Sequence, residues 1–172
     1  MMIISGGQSG ADRAALDVAI ERGLPWGGWC PRGGWAEDFP SPPGLLARYP
    51  GLRETPLADP TQRTAWNVRD SDAILIIVAE GGVVVSPGTM VASHHAVSAN
   101  RPVLVAGAGD PDTAARVAHW LEAQHDRFGP GLRLGVGGPR ESEAPGIYRG
   151  SCELLRRVLP ARDPVSWTPR TG

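Results

Sequence analysis

Three glycine-bearing segments carry the residue types that bind a small polar ligand. The first is GGQSGADRAAL, residues 6–16. Glycine lets the backbone turn sharply and approach a ligand, and a helix opening just after it presents free N–H groups and its positive dipole end, which suit a phosphate or another anion. Gln8 and Ser9 add side-chain hydrogen-bonding groups beside Gly6, Gly7 and Gly10. The segment has no Walker A lysine and does not match GxGxxG, so neither nucleotide hydrolysis nor dinucleotide binding follows from it. The second segment is SPGT, residues 86–89, with Ser86 and Thr89 on either side of Gly88 at a helix start. A serine there also serves simply as an N-cap. The third is GGPRESEAPGIY, residues 137–148, in which Gly138 leads into Arg140, Glu141 and Ser142 on a turn stiffened by proline. An arginine on a rigid turn can grip a phosphate or a planar carbonyl-amide edge with its donor fork. Each segment also has a plain structural reading. Gly6, Gly7 and Gly10 would allow close packing of helix on strand, and Arg140 would pair with Glu141, Glu143 or another surface acid.

Other polar groupings promise less. Arg63, Asn67 and Asp70 fall at i, i+4 and i+7 on one helix face, a spacing typical of a solvated stripe. His94 and His95 are adjacent, so they point apart, and no other His or Cys lies three or four residues away; a metal site is not expected. Cys30 and Cys152 form neither a CxxC pair nor a disulfide framework. No GxSxG, HExxH or acid/base pair is visible. These residues describe a binding site more clearly than a reaction.

The elements that must hold these segments read as alternating strands and helices. Residues 2–5 are a short apolar strand, residues 11–22 a helix with Ala15, Leu16, Ala19 and Ile20 at helical spacing, and WGGWCP a short strand inside a long loop over residues 25–51. Asp59-Pro60 caps a helix over 60–71. Residues 73–78 (AILIIV) form a strand apolar on both faces. A helix follows over 87–99, a strand over 102–106, and a helix opening at Asp110-Pro111 with Ala114, Val117, Ala118 and Leu121 as its buried stripe. Leu132, Leu134 and Val136 alternate along a last strand, and a final helix carries Ile147, Leu154, Leu155 and Val158. This order predicts an α/β fold of Rossmann-like, three-layer type: a mostly parallel sheet flanked by helices, with ligands at the carboxyl ends of its strands. Three expected strands end in a Gly-Gly pair, at 6–7, 81–82 and 137–138, so one sheet rim gathers three glycine turns.

Composition agrees with one small domain. The chain has 172 residues, with 23 Gly and 17 Pro, and its 17 basic residues, all Arg, face 18 acids for a net charge of −1. Such a balance argues against a broad nucleic-acid surface or an anionic-membrane surface, while leaving room for one local anion site. The longest strongly apolar run, residues 73–79, is far too short to span a bilayer, and the N-terminus does not read as a secretory signal, so a cytoplasmic protein is expected.

In chain order, ISGGQSGADRAALDVA, GWCPRG with AED just after it, LRET, RTAWNVRDSDAILI and GGPRESEAPGIY resemble the molybdenum carrier family. That family lies in the Rossmann-like superfamily that also holds the Lonely Guy phosphoribohydrolases and DNA-processing protein A. The resemblance runs from Ile3 to Leu159, which makes residues 1–159 one ligand-binding domain and 160–172 a C-terminal tail. It implies a cytoplasmic homodimer or homotetramer that binds molybdenum cofactor, a phosphorylated pterin dithiolene with an oxo-molybdenum centre, for a molybdoenzyme acceptor. Its anion-cradling role falls on Gly6, Gly7, Gln8, Ser9 and Gly10, a second helix-start contact on Ser86, Gly88 and Thr89, and the PRES position, led by Gly138, on Arg140, Glu141 and Ser142. Arg32, Arg63 and Asn67 fall at the rim. Two stretches depart from the family: Gly33-Gly34-Trp35 stands where a second basic residue is common, and VVVSPGT fits the superfamily's glycine-threonine turn loosely. The enzymatic relatives suggest a phosphoribohydrolase, but their catalytic Glu follows a PGGxGT turn, and here Thr89 is followed by Met90, Val91, Ala92 and Ser93. A sensor of a nucleotide ligand would use the same rim, because fold alone does not decide function.

Overall fold

The most apolar segment of the chain is covered on both faces of the sheet. In the computed structural model, which describes residues 1–79 and 94–161, the AILIIV run forms a strand, Ala73–Val78, buried along its whole length. Ala73, Leu75 and Ile77 pack into the main core with Leu134, Val136, Val117 and Leu155. Ile74, Ile76 and Val78 pack with Val68 and Ala96 on the opposite face. A continuous apolar run is what a strand covered on both sides requires.

The elements in chain order are β1 (Met2–Ile4), α1 (Ala11–Glu21), β2 (Trp26–Cys30), α2 (Leu45–Arg48), β3 (Leu52–Glu54), α3 (Pro60–Arg69), β4 (Ala73–Val78), β5 (Val103–Gly107), α4 (Thr113–Phe128), β6 (Arg133–Gly137) and α5 (Ile147–Val158). Residues 94–98 are also helical. The six described strands form one sheet in the order β3-β2-β1-β6-β4-β5, and every pairing is parallel. The expected Rossmann-like α/β architecture is thus the observed one. Helices α1, α4 and α5 contribute to the core on one face, while α3 and residues 94–98 supply Val68 and Ala96 on the other. The last described strand, β6, lies in the middle of the sheet, with Ile3 opposite Leu134 on one side and Leu75 opposite Val136 on the other. That position brings the Gly6-Gly7 and Gly137-Gly138 turns to neighbouring strand ends. The Gly81-Gly82 pair lies outside the described residues.

Local chemistry explains most element boundaries. Asp59 caps α3 by accepting the Thr61 amide at 2.8 Å, with Pro60 in the first turn. Helix α4 begins at Thr113, beyond the expected Asp110-Pro111, because the Asp110 side chain accepts the Asp112 amide (3.0 Å) and holds a turn ahead of the helix. Its buried face is Thr113, Val117, Leu121 and Gln124, while Ala114 and Ala118 are only partly covered. The stretch expected to be mostly loop over 25–51 contains α2 and leads into β3, which pairs with β2 through Gly28–Leu52, Trp29–Arg53 and Cys30–Glu54. Of the helix expected over 87–99, residues 94–98 are helical, and its start lies outside the described residues.

Candidate functional site

A cavity of about 260 Å³ opens beneath α3, at the carboxyl ends of β1 and β6 and against the α3-facing side of β4. Ile4, Ile74 and Ile76 give it an apolar floor, and Gly135, Gly137 and Gly138 supply one wall from backbone alone. Two of these glycines leave no space for a side chain. A Cβ on Gly135 would lie 2.6 Å from both the Ile74 Cδ1 and the Ser71 Oγ. One on Gly138 would lie 2.1 Å from the Ile77 carbonyl oxygen.

Two charged side chains enter the cavity and meet there. Asp12, in the first turn of α1 and only 5% exposed, accepts a hydrogen bond at its Oδ2 from Arg63 Nη1 of α3 at 2.7 Å. Gly6 leaves room for this pair, since a Cβ there would be 2.0 Å from Arg63 Nη1. The Ser5 hydroxyl, shared between the carbonyls of Asp12 (3.1 Å) and Val136 (2.8 Å), ties β1 to α1 and β6 at the same point. Arg140 and Glu143 line the opening, where Glu143 accepts the Arg140 backbone amide at 2.9 Å. The Arg140 guanidinium stands 5.6 Å from the Trp35 ring centroid, a cation–π arrangement, and donates no hydrogen bond among the described residues.

Beside the cavity, the α1 N-terminus meets the PRES turn through an internal carboxylate. Gly10 adopts φ +80°, and a Cβ there would come within 2.4 Å of the Pro139 carbonyl oxygen, so the turn and the helix start can touch only through glycine. Gln8 accepts the amides of Ser9 (3.1 Å) and Glu37 (3.0 Å) at its Oε1, leaving its Nε2 without an acceptor among the described residues. The Ser9 hydroxyl donates to Glu37 and accepts the Glu141 amide at 3.2 Å. The Ser142 amide donates to Glu37 at 3.3 Å, and the Ser142 hydroxyl donates to it as well. Burial pushes the Glu37 carboxyl up, but the bonds from Ser142 and Ser9 and the charge of Arg140 outweigh it and hold the group below the ordinary carboxylate range. The loop bearing Glu37 is anchored by buried Arg13, which donates to the Gly7 carbonyl (2.9 Å) and to both Asp38 carboxylate oxygens (2.9 and 3.0 Å) while lying over the Phe39 ring.

The residues expected at the site thus divide. Gly6, Gln8, Arg63, Asn67, Gly138 and Arg140 line the cavity. Ser9 and Ser142 lie next to it and are engaged with Glu37. Glu141 caps α5 instead, accepting the amides of Gly146 (2.6 Å) and Tyr148 (2.9 Å). Asn67 belongs to the wall, yet its Oδ1 accepts the Trp29 amide (2.8 Å) and its Nδ2 donates to the Trp29 carbonyl (3.0 Å). Gly7 packs against Leu52 and Leu16, and Arg32 is exposed and does not line the cavity. Ser86, Gly88 and Thr89 lie outside the described residues. Cys30 is buried, and desolvation, with the Glu54 charge adding to it, pushes its thiol up to about 11, unlike an activated nucleophile. Among the described residues no three His, Cys, Asp or Glu groups gather as metal ligands, and no helix is long and apolar enough to cross a membrane.

Asp12, Arg13 and Glu37 are additions that residue spacing did not disclose. Their neighbours in sequence, GADR and AED, mark them only as charged residues near a turn. Their roles come from partners 51 residues away for Asp12 and 25 for Arg13.

A parallel sheet with a cavity at its strand ends, bordered by glycine turns, defines a Rossmann-like domain. Residues 3–159 match the model of the Circularly permutated YpsA SLOG family, and the chain belongs to that family. The crystal structure of the Putative molybdenum carrier protein from Syntrophus aciditrophicus SB is similar to this chain with a TM-score of 0.78 and 36% identity, covering 92% of this chain and 94% of that one. No curated protein matches the chain.

Proposed function

We propose that the chain binds a small anionic ligand in this cavity and that the ligand it carries is molybdenum cofactor. The observation that carries the reading is the Arg140 guanidinium, held at the cavity opening over Trp35 with no acceptor among the described residues. A ligand oxygen would give that charge its missing partner. The Gln8 amide nitrogen offers a second donor, and the apolar floor of Ile4, Ile74 and Ile76 suits the face of a flat ring. A phosphorylated pterin presents both kinds of surface. At about 260 Å³ the cavity falls below the ~300–1,000 Å³ usual for drug-sized ligands, a better match to one compact ring system than to a dinucleotide. The similarity to a protein named as a molybdenum carrier supports this cargo. On this reading the protein works in the cytoplasm as a homo-oligomer, shields its cargo from water and passes it to a molybdoenzyme acceptor.

The test is direct. Chain purified gently from cells that make the cofactor is expected to carry molybdenum, by elemental analysis, and pterin, by fluorescence after oxidation, in a fixed ratio to protein. Protein with neither, which also takes up no added cofactor, overturns the reading. Arg140→Ala is expected to weaken cofactor binding about tenfold, the usual scale for one charge-assisted contact. Unchanged affinity would remove Arg140 from the site.

A further inference from the structure

We infer that the Asp12–Arg63 pair reads the edge of the ring that enters the cavity and selects heterocycles with a carbonyl oxygen beside a ring N–H and an exocyclic amine, the amino-lactam edge of pterins and guanines. The inference rests on the cavity being the ligand site. Its ground is the incomplete pairing of two nearly buried charges. Asp12 is 5% exposed and the Arg63 side chain 15%, yet among the described residues they share a single contact, Nη1 to Oδ2 at 2.7 Å. Asp12 Oδ1 and Arg63 Nε and Nη2 take no further partner among those residues.

A largely covered ion pair gains when its remaining lone pairs and protons are also satisfied, and here none of those atoms is fully buried, so a ligand in the cavity can reach them. Asp12 Oδ1 lies beside Gly137, where an added Cβ would come within 3.1 Å, so glycine keeps the approach to that oxygen open. The cavity charges also balance, with Asp12 and Glu143 against Arg63 and Arg140. A site built for phosphate alone would not set a carboxylate beside its deepest arginine. A neutral ring edge with two N–H donors for the carboxylate and one carbonyl oxygen for the guanidinium satisfies both ions at once. Adenine carries an unprotonated ring nitrogen at the corresponding place and would set a lone pair against Asp12.

The test titrates GMP, IMP, AMP and the fluorescent 6-hydroxymethylpterin onto the full chain. GMP is expected to bind tightest, IMP, which lacks the amine, more weakly, and AMP about tenfold or more below GMP, since sites built to hydrogen-bond a group reject analogues lacking it. The pterin should compete with GMP. Asp12→Asn, with its melting curve recorded, should lose about tenfold for GMP and the pterin, while AMP, no longer facing a carboxylate with its ring lone pair, should bind no worse. Equal affinity for GMP and AMP, no binding of GMP or the pterin, or a folded Asp12→Asn chain that binds like the parent overturns the inference. The nucleotide series runs on the unmodified chain, so it decides even if the variant does not fold. A chain that carries molybdenum cofactor but treats the nucleotides alike refutes only the role of the pair. One selective for GMP that carries no molybdenum refutes only the carrier reading.

Discussion

Glu37 holds the hydroxyls and amide that an external anion would otherwise claim. Its carboxylate is bonded by Ser9 and Ser142 at the mouth of the site, within the field of Arg140. An incoming oxyanion must therefore bind beside Glu37, at Arg140 and Gln8, or displace it. Glu37→Gln keeps the shape and removes the charge. Inorganic phosphate and molybdate are expected to bind the variant several-fold more tightly by calorimetry, a change of about 1 kcal/mol at one polar contact. Equal affinities would mean that Glu37 does not compete with ligand. The same group sets an acid response. Because its carboxyl is held below the ordinary value in the folded chain, its contribution to stability is complete above the unfolded-chain pKa and is lost as pH falls through the depressed folded value. Urea melts from pH 7 downward should accordingly lose stability more steeply in the parent than in Glu37→Gln. Arg13 is the companion case, and Arg13→Met should cost about 1–3 kcal/mol by leaving the Gly7 carbonyl and Asp38 without their donor. Limited proteolysis should then cut more readily within residues 31–44. The PRES turn was visible in the sequence because Gly, Pro and Arg punctuate it locally. Glu37 was not, since only folding brings residue 37 onto residues 9 and 142.

Elements with a local cause were the legible ones. The unbroken AILIIV run, the Asp59-Pro60 start of α3 and the alternation of Leu132, Leu134 and Val136 each carry their structure in a few consecutive residues. Strand β3 does not: three residues, LRE, become a strand only by pairing with β2, whose own path depends on Asn67 reaching across from α3 to both backbone groups of Trp29. For the same reason the polar stripe of α3, which spacing alone suggests is solvated, turns inward: Arg63 goes to Asp12, Asn67 to the Trp29 backbone and Asp70 to the Trp29 indole N–H at 2.7 Å. The glycines sort by the same criterion. A methyl on Gly138 would press on the Ile77 carbonyl and, at 2.8 Å, on the Ala11 Cβ, neither of which moves without shifting β4 or α1. Gly138→Ala should therefore destabilise the chain by about 1–3 kcal/mol in urea titrations, the usual cost of overpacking. Gly131→Ala, at an exposed position with no atom within 4 Å of the new methyl, should stay within about 0.5 kcal/mol. If the two variants melt together, close packing at the β6 turn is not what requires glycine there.

At the scale of the molecule, the near-neutral charge reflects ions used in pairs. Arg13 with Asp38, Arg63 with Asp12, Arg133 with Asp72 and Arg156 with Glu21 join segments far apart in sequence. Three of these pairs meet at α1, the helix that also touches the PRES turn. The cavity lies where α1, α3 and the central strands converge, so a ligand seated in it contacts parts that separate when the chain unfolds. Binding then couples to global stability by mass action. At a concentration 100 times its dissociation constant, a ligand bound only by the folded chain adds about 2.7 kcal/mol, which for a domain of this length raises the melting temperature by about 5–10 °C. Chain loaded with cofactor should show that rise, and the added hydrogen-exchange protection should concentrate in β1, β6, β4 and α3, not in the edge strands β3 and β5. Asp12→Asn and Arg140→Ala should each reduce the rise, because each weakens one end of the bridge between ligand and scaffold. A ligand that raised the melting temperature equally in the parent and in both variants would be binding outside this cavity, and the site would have to be sought elsewhere on the fold.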